Sequence, residues 1–297
     1  MTAASIPPLA IAALFGSILT IGAGNSIAQT LFSAIGPEGA VGLRNLVGAA
    51  VLLVVYRPSL RMSRREWITV AGYGMLLGLM NELFYRSLLT LPIGLSVAIE
   101  FTGPLLVTVL ASRRRSEFFW VVLAAIGIAL ITPEVSDRLA GPARPALRLD
   151  WHGIIYALAA GAAWAGYMLL GQRAGASHGG GAAALGLAMA TLITLPIALA
   201  RHGAALFAPA IWPTAIAVGL LAGAIPYALE IYALARMPAR NYGMLVSTEP
   251  AVSGLMGYVL LGQQLSSLQM LAIALLITAS AGATLGTRRN APVLEAV

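Results

Sequence analysis

Two stretches 146 residues apart decide the fold: Leu91–Pro104, LPIGLSVAIEFTGP, and Met237–Pro250, MPARNYGMLVSTEP. In each, a Leu-Pro or Met-Pro pair is followed twelve residues on by a second proline, and that proline stands close to a glutamate, Glu100 or Glu249. Both stretches are otherwise apolar. A matched proline and acid in two such segments point to two copies of one unit. Each copy places a carboxylate and a helix irregularity at membrane depth.

The rest of the composition agrees with that setting. The 297 residues are 59% hydrophobic and only 10% charged, with a mean hydropathy of +0.86. A soluble domain carries about 25% charged residues, so the chain reads as an all-α polytopic membrane protein whose side chains face lipid. No cysteine is present, which removes disulfides and thiolate chemistry. The net charge of +7 comes from arginine alone, in short clusters between apolar runs. Such clusters mark cytoplasmic loops and do not form a nucleic-acid surface.

Ten runs are long enough to span a bilayer, at about 9–33, 39–56, 67–88, 93–111, 117–133, 151–171, 182–200, 212–234, 242–261 and 267–286. The first has no basic flank and is expected to stay as a span, not to be cleaved as a signal. The longest connection divides the chain into a first five-helix repeat, 1–133, an extracytoplasmic linker, 134–150, a second repeat, 151–286, and a tail, 287–297. Alternate loops carry twelve arginines on one side and five on the other, which sets both termini and the tail in the cytoplasm. An odd number of spans per repeat makes the two copies a 5+5 inverted repeat, the arrangement that gives transporters two faces around a midplane site. Gly74/Gly78 and Gly219/Gly223, in the third and eighth spans, are expected to serve close packing inside the bundle.

Ionisable groups inside spans are costly and are functional candidates. From the helix rise, Glu100 and Glu82 lie roughly 10 and 8 Å from the outer surface, and Glu249 and Glu230 about as far from the inner one. They form an outer and an inner pair that can pass a proton or an ammonium group between layers. Each glutamate can equally hydrogen-bond a neighbouring helix, or, for Glu230, reach water. Pro104 and Pro250 remove a backbone donor and either expose carbonyls to a substrate or simply kink the helix. Arg44 suits a substrate carboxylate or an interhelical pair with Glu82 or Glu100. Glu82 and Arg86, four apart with the acid first, read as an ion pair on one helix face. Asn25, Gln29 and Asn81 are further polar residues in apolar spans. Trp164 and Tyr167 either wall a cavity or pack.

No enzyme is assembled from these residues. Gly175–Gly179, GASHG, fits G-x-S-x-G, but joins two membrane helices where the motif needs a strand-to-helix elbow. His152, His178 and His202 are scattered at span ends, so no metal site is expected, and without a Walker-type loop no nucleotide or other cofactor is expected.

The segments FYRSLLTLPIGLSVAIEFTGPL (84–105), WAGYMLLGQRAG (164–175), PYALEIYALARMPAR (226–240) and STEPAVSGL (247–255) resemble the drug/metabolite transporter superfamily of EamA type. Within it they are similar to the bacterial inner-membrane threonine and homoserine exporters, over about residues 10–287. The resemblance implies a ten-helix fold in the inner membrane and export of small amino acids by alternating access, coupled to the proton gradient. It assigns Asn81, Glu100, Thr102, Pro104, Glu230, Glu249 and Pro250 to the family's pattern. Glu82 and Arg86 depart from it, since the exporters it resembles are uncharged there. The competing functions are a broader drug/metabolite efflux carrier, a passive channel and a non-transporting receptor.

Overall fold

The computed structural model describes residues 7–112, 118–132, 150–237 and 239–286, with pieces of the linker at 134–135 and 138; side chains at 108–112, 172, 175–178, 234, 239 and 240 lie outside the description. Most of the linker and the whole tail are therefore outside it, as are Arg113 to Arg115. The described residues form helices and no strand. In order these are α1 (Pro8–Gln29), α2 (Phe32–Tyr56), α3 (Arg64–Ser87), α4 (Ile93–Glu100), α5 (Thr102–Ser112), α6 (Phe118–Leu130), α7 (Trp151–His178) and α8 (Gly181–His202). There follow α9 (Trp212–Val218), a π-helical segment (Gly219–Ala224), α10 (Ile225–Leu234), α11 (Ala239–Val246), α12 (Glu249–Leu261) and α13 (Ser267–Gly286).

Among the described residues, seven helical segments are long and apolar enough to cross a membrane. Ile93–Val107 and Phe118–Leu130 are apolar but shorter, and α3 has the length, 24 residues, but carries charges at both ends. The side chains are distributed for lipid. Val54, Ile68, Leu192 and Val259 are more than 60% exposed, whereas Ser17, Asn25, Arg44, Asn45, Asn81 and Glu100 are buried. An apolar exterior around a polar interior is the arrangement expected where hydrocarbon, not water, surrounds the protein.

Local sequence explains the helix ends. Ser63 caps α3 by a reciprocal pair: its hydroxyl accepts from Glu66 N at 3.3 Å, and its own N–H donates to Glu66 Oε2 at 2.7 Å. Ser266 and Gln269 open α13 in the same way. Gly262, at φ 65°, ends α12 in the left-handed conformation. At the linker's two ends the Trp151 indole donates to Glu134 at 2.8 Å, and His152 Nδ1 lies 3.0 Å from Asp150 Oδ1. These bonds hold both exposed carboxyls below their ordinary range.

The second helix begins earlier than the sequence suggested. Gly36–Pro37 reads as a span boundary, but α2 starts at Phe32, kinks at Ile35–Gly36 and continues, so Glu38 belongs to a helix. Proline is tolerated there because the first turn after a kink has no partner for its missing N–H.

The helices interlock across the chain. α1 packs on α10 and α12, and α7 on α3, α4 and α5; α2 packs on α8 and the π segment, α3 on α8, α4 on α12, and α6 on α13. The glycine pairs serve this packing. A Cβ at Gly74 would collide with Met189 and one at Gly78 would press on Ala190, while Gly219 and Gly223 lie against Val47 and Gly48.

Candidate functional site

Both proline stretches break their helices, and at equivalent places. α4 ends at Glu100 and α5 starts at Thr102; α11 ends at Val246 and α12 starts at Glu249. Pro104 and Pro250 have no N–H to continue the ladder, so the turn before each opens. At each break a threonine hydroxyl bonds a carbonyl three residues back: Thr102 donates to Ile99 O at 2.7 Å and Thr248 to Leu245 O at 2.7 Å. These threonines, like the prolines, are 146 residues apart. The backbone of the first break lies against α7, where a Cβ on Gly161 would come 2.6 Å from Glu100 O.

The two acids are not equivalent. Glu100 is the last residue before its break, and Glu249 the first after its own. α4 and α12 nevertheless bring them together. A Cβ at Gly257 would meet Ile93 Cγ2 at 2.6 Å and one at Gly94 would meet Gly254 Cα at 2.6 Å, so numbering rises on one helix as it falls on the other. Continued along that antiparallel register, Glu100 arrives opposite Glu249. The two carboxyls are within electrostatic reach of each other, and Arg44 is within reach of both.

Arg44, on α2, is 3% exposed. It forms no ion pair with Glu82 or Glu100, one of the two alternatives that the sequence left open. Its Nε and Nη2 donate to Ala222 O at 3.2 and 2.7 Å, and its Nη1 to Asn81 Oδ1 at 3.1 Å. Ala222 lies in the π segment, and the residue four beyond it is Pro226, which cannot donate to its carbonyl. The π geometry and the arginine are two answers to one missing N–H. Asn81 passes the chain of bonds to Asn45 at 3.2 Å and Asn45 to Thr194 at 3.2 Å. The guanidinium also faces the Tyr85 ring, 5.3 Å from its centroid, and the Tyr85 hydroxyl donates to Asn25 at 3.0 Å. At the N-terminus of α4, Gln263 accepts from Ile93 N at 3.1 Å and donates to Gln29 at 3.1 Å.

Of the expected pairs of acids, the inner one, Glu230 and Glu249, stays within electrostatic reach, and the outer one is divided. Glu100 faces Glu249, while Glu82 belongs to a separate charged cluster where α2 begins and α3 and α8 end. There the predicted Glu82–Arg86 pair forms at 2.8 Å, and Arg86 reaches Glu38 at 3.1 Å. His202 Nε2 lies 3.5 Å from Glu38 Oε2. Glu38 and His202 were missed as site candidates because Pro37 made Glu38 look like a loop residue. Glu230 accepts from the Ser17 hydroxyl at 2.8 Å and is hydrogen-bonded by Tyr242. Trp164 packs edge-on against Phe101, centroids 4.8 Å apart, and Tyr167 tilts against Tyr73 at 5.2 Å. Gly175–Gly179 lies at the end of α7 and the turn after it, with no strand before it. Among the described residues no group of His, Asp and Glu could hold a metal ion.

Residues 151–285 match the EamA-like transporter family. Over 97% of this chain and 95% of the relative, the sequence is 40% identical to the threonine/homoserine exporter RhtA of Escherichia coli (strain K12) and 41% identical to that of Salmonella typhimurium (strain LT2). It is 27% identical over 82% of its length to the uncharacterized transporter YwfM of Bacillus subtilis (strain 168). A crystal structure of a protein at 20% identity superposes with a TM-score of 0.58, over 94% of this chain and 99% of its own, a likeness of fold alone.

Proposed function

The chain belongs to the EamA-like transporter family, and we propose that it exports small amino acids of the threonine and homoserine kind across the bacterial inner membrane. The observation that carries this is the 40% identity to the exporter, spread over 97% of the chain. Export is coupled to proton entry, with both termini in the cytoplasm and access alternating between the two faces.

The architecture of this reading is ten spans in a 5+5 inverted repeat, with α4–α5, α9–α10 and α11–α12 each serving as one span. The packing supports it. Exchanging every span for the one five places along preserves the main contacts, whereas those of α4–α5 with α13 and of α2 with α3 have no counterpart of similar extent. The contacts of α1 with α10 and α12 become those of α7 with α3 and α4–α5, and those of α2 with the π segment become those of α8 with α3. The pairs α2–α8, α4–α12 and α6–α13 map onto themselves. Such a symmetry lets one unit take up either of two arrangements around the midplane, the requirement for alternating access.

In this mechanism Glu100 and Glu249 carry the proton. Two carboxyls brought to the same level, beside two helix breaks, favour a state that holds one proton between them, because like charges at close range resist joint ionisation. After the substrate has left outside, a proton from that side would neutralise the pair, and it would dissociate from the pair on the cytoplasmic side before the next substrate binds. The test is efflux of labelled threonine and homoserine from preloaded cells, with and without an uncoupler. Faster efflux that the uncoupler abolishes, lost in Glu249→Gln at normal protein levels, is expected. Wild-type efflux by Glu249→Gln would remove Glu249 from the coupling.

A further inference from the structure

The half-helices that precede the two breaks are equivalent by the repeat and differ in their surroundings. Every residue from Leu95 to Glu100 in α4 is buried, whereas the counterparts 146 positions on, Asn241 to Val246 in α11, are all at least partly exposed. α4 crosses onto α12 and α13 of the second repeat. By the same symmetry α11 would cross onto α5 and α6, but among the described residues it has no contact of similar extent with either. It packs instead on α1 and on α13 of its own repeat. The repeats are therefore docked at the α4 end of the bundle and parted at the α11 end. A carrier with two exchangeable faces is shut on one of them in such a state.

What ties the docked end is local. Gly262, at φ 65°, turns the chain back at the end of α12, and Gln263 N donates to Gly257 O at 3.1 Å. Gly257 leaves room for the side chain that follows: a Cβ there would come 2.6 Å from both Gln263 Oε1 and Ile93 Cγ2. Gln263 Oε1 accepts from Ile93 N, a donor that the first turn of α4 cannot use itself. Gln263 Nε2 donates to Gln29 Oε1 at the end of α1, and both bonds measure 3.1 Å. One amide from the second repeat thus holds two helices of the first. The tie is incomplete, because Gln29 Nε2 is buried without a partner. An unmet donor offsets part of what the two bonds contribute, so the face is held shut without being costly to part.

We propose that Gln263 is the latch of this face. On the exporter reading, the start of α4 and the end of α1 are extracytoplasmic, so the structure is sealed outside. Gln263 then has to release Ile93 and Gln29 before the substrate can leave. In the opposite state α11 docks on α5 and α6, and α4 withdraws from α12 and α13.

The chain has no cysteine, so single cysteines in the full-length protein can report on each face. Val97 is 2% exposed, in the apolar core that α4 shares with α1, α2 and α3. In right-side-out vesicles, Val97→Cys should react slowly with a membrane-impermeant maleimide. Adding Gln263→Ala should speed the reaction about fivefold or more, the worth of one hydrogen bond in the balance between shut and open. Gln269→Ala is the control. It removes a bond that caps α13 in the same connection and ties neither α1 nor α4, so the rate should stay as it was. An unchanged rate in Gln263→Ala overturns the latch. Equal acceleration by Gln269→Ala also overturns it, because the connection then loosens as a whole. Asn241→Cys, on α11, should react in inside-out vesicles. If it reacts only in right-side-out vesicles, and Val97→Cys only in inside-out ones, the orientation in the exporter reading falls, and the outward sense of the seal with it. None of these rates needs a substrate, so a protein that exports neither amino acid would overturn the cargo and leave the latch standing.

Discussion

The two halves of the chain repeat their fourth helix and diverge in their third. The breaks before Pro104 and Pro250 are closed by the same threonine-to-carbonyl bond at the same length. The helices that precede them share a glycine pair, Gly74/Gly78 and Gly219/Gly223, at a common spacing of 145 residues. One is the uninterrupted α3, ending in the Glu82–Arg86 pair. The other is split into α9, a π segment and α10, and carries Glu230. The backbone geometry of the break recurs in both copies, while the polar side chains around it differ. The π segment shows how: Pro226 withholds a donor from Ala222, and Arg44 from the opposite half supplies one.

Removing that loan is the largest change expected. Arg44→Met keeps the bulk but leaves Ala222 O and Asn81 Oδ1 without their donor. The loss should be about 3 kcal/mol, since each unmet buried acceptor costs roughly 1–3 kcal/mol. Pro226→Ala restores an N–H to α10, so the double variant should recover about 1 kcal/mol, one hydrogen bond's net worth. Thermal unfolding of the four proteins in the same detergent measures this cycle. Strict additivity would mean that proline and arginine do not serve the same carbonyl.

The charged cluster of Glu38, Glu82 and Arg86, which His202 joins from the second half, comes next. Arg86→Ala leaves Glu38 and Glu82 facing each other without their cation. A fully buried pair so broken costs roughly 3–5 kcal/mol and an exposed one under about 1. Arg86 is 26% exposed on its side chain, so about 2 kcal/mol is expected in the same unfolding assay. Replacing all three by neutral residues of similar volume should return most of it. A triple variant no better than Arg86→Ala would show that the cluster's shape, not its charge balance, matters.

Much of this was legible from the residues alone, and what was not has a physical reason. Matched prolines disclosed both breaks, because a missing N–H acts on its own helix. The Glu82–Arg86 pair was legible for the same reason: both partners sit on one helix face, four residues apart. The convergence of Glu100 and Glu249 was not, since it depends on the register in which α4 and α12 cross. The π segment left a signal that passed unread, a proline four residues after a span-centre carbonyl. Arg44 was recognised as a buried cation needing a partner, and its partners proved to be the Ala222 carbonyl and the Asn81 amide, which no pattern of charged residues reveals.

The smallest expected effect bears most directly on the repeat. Thr102→Val and Thr248→Val each remove one hydroxyl that satisfies a carbonyl at a break, while keeping the branched shape. Each should cost about 0.5–1 kcal/mol. If the breaks are equivalent hinges, the two losses should agree within about half a kcal/mol, the limit of additivity for separate sites. Their effects on transport, however, should differ. Thr102 stands between Glu100 and Pro104, whereas Thr248 precedes both Glu249 and Pro250, so only the first hydroxyl lies between its carboxyl and its proline. Equal stability losses with unequal transport would separate the hinge, which the halves share, from the chemistry, which they divide. Unequal stability losses would instead mean that the 2.7 Å bonds are a coincidence of sequence and that only one break is built to open.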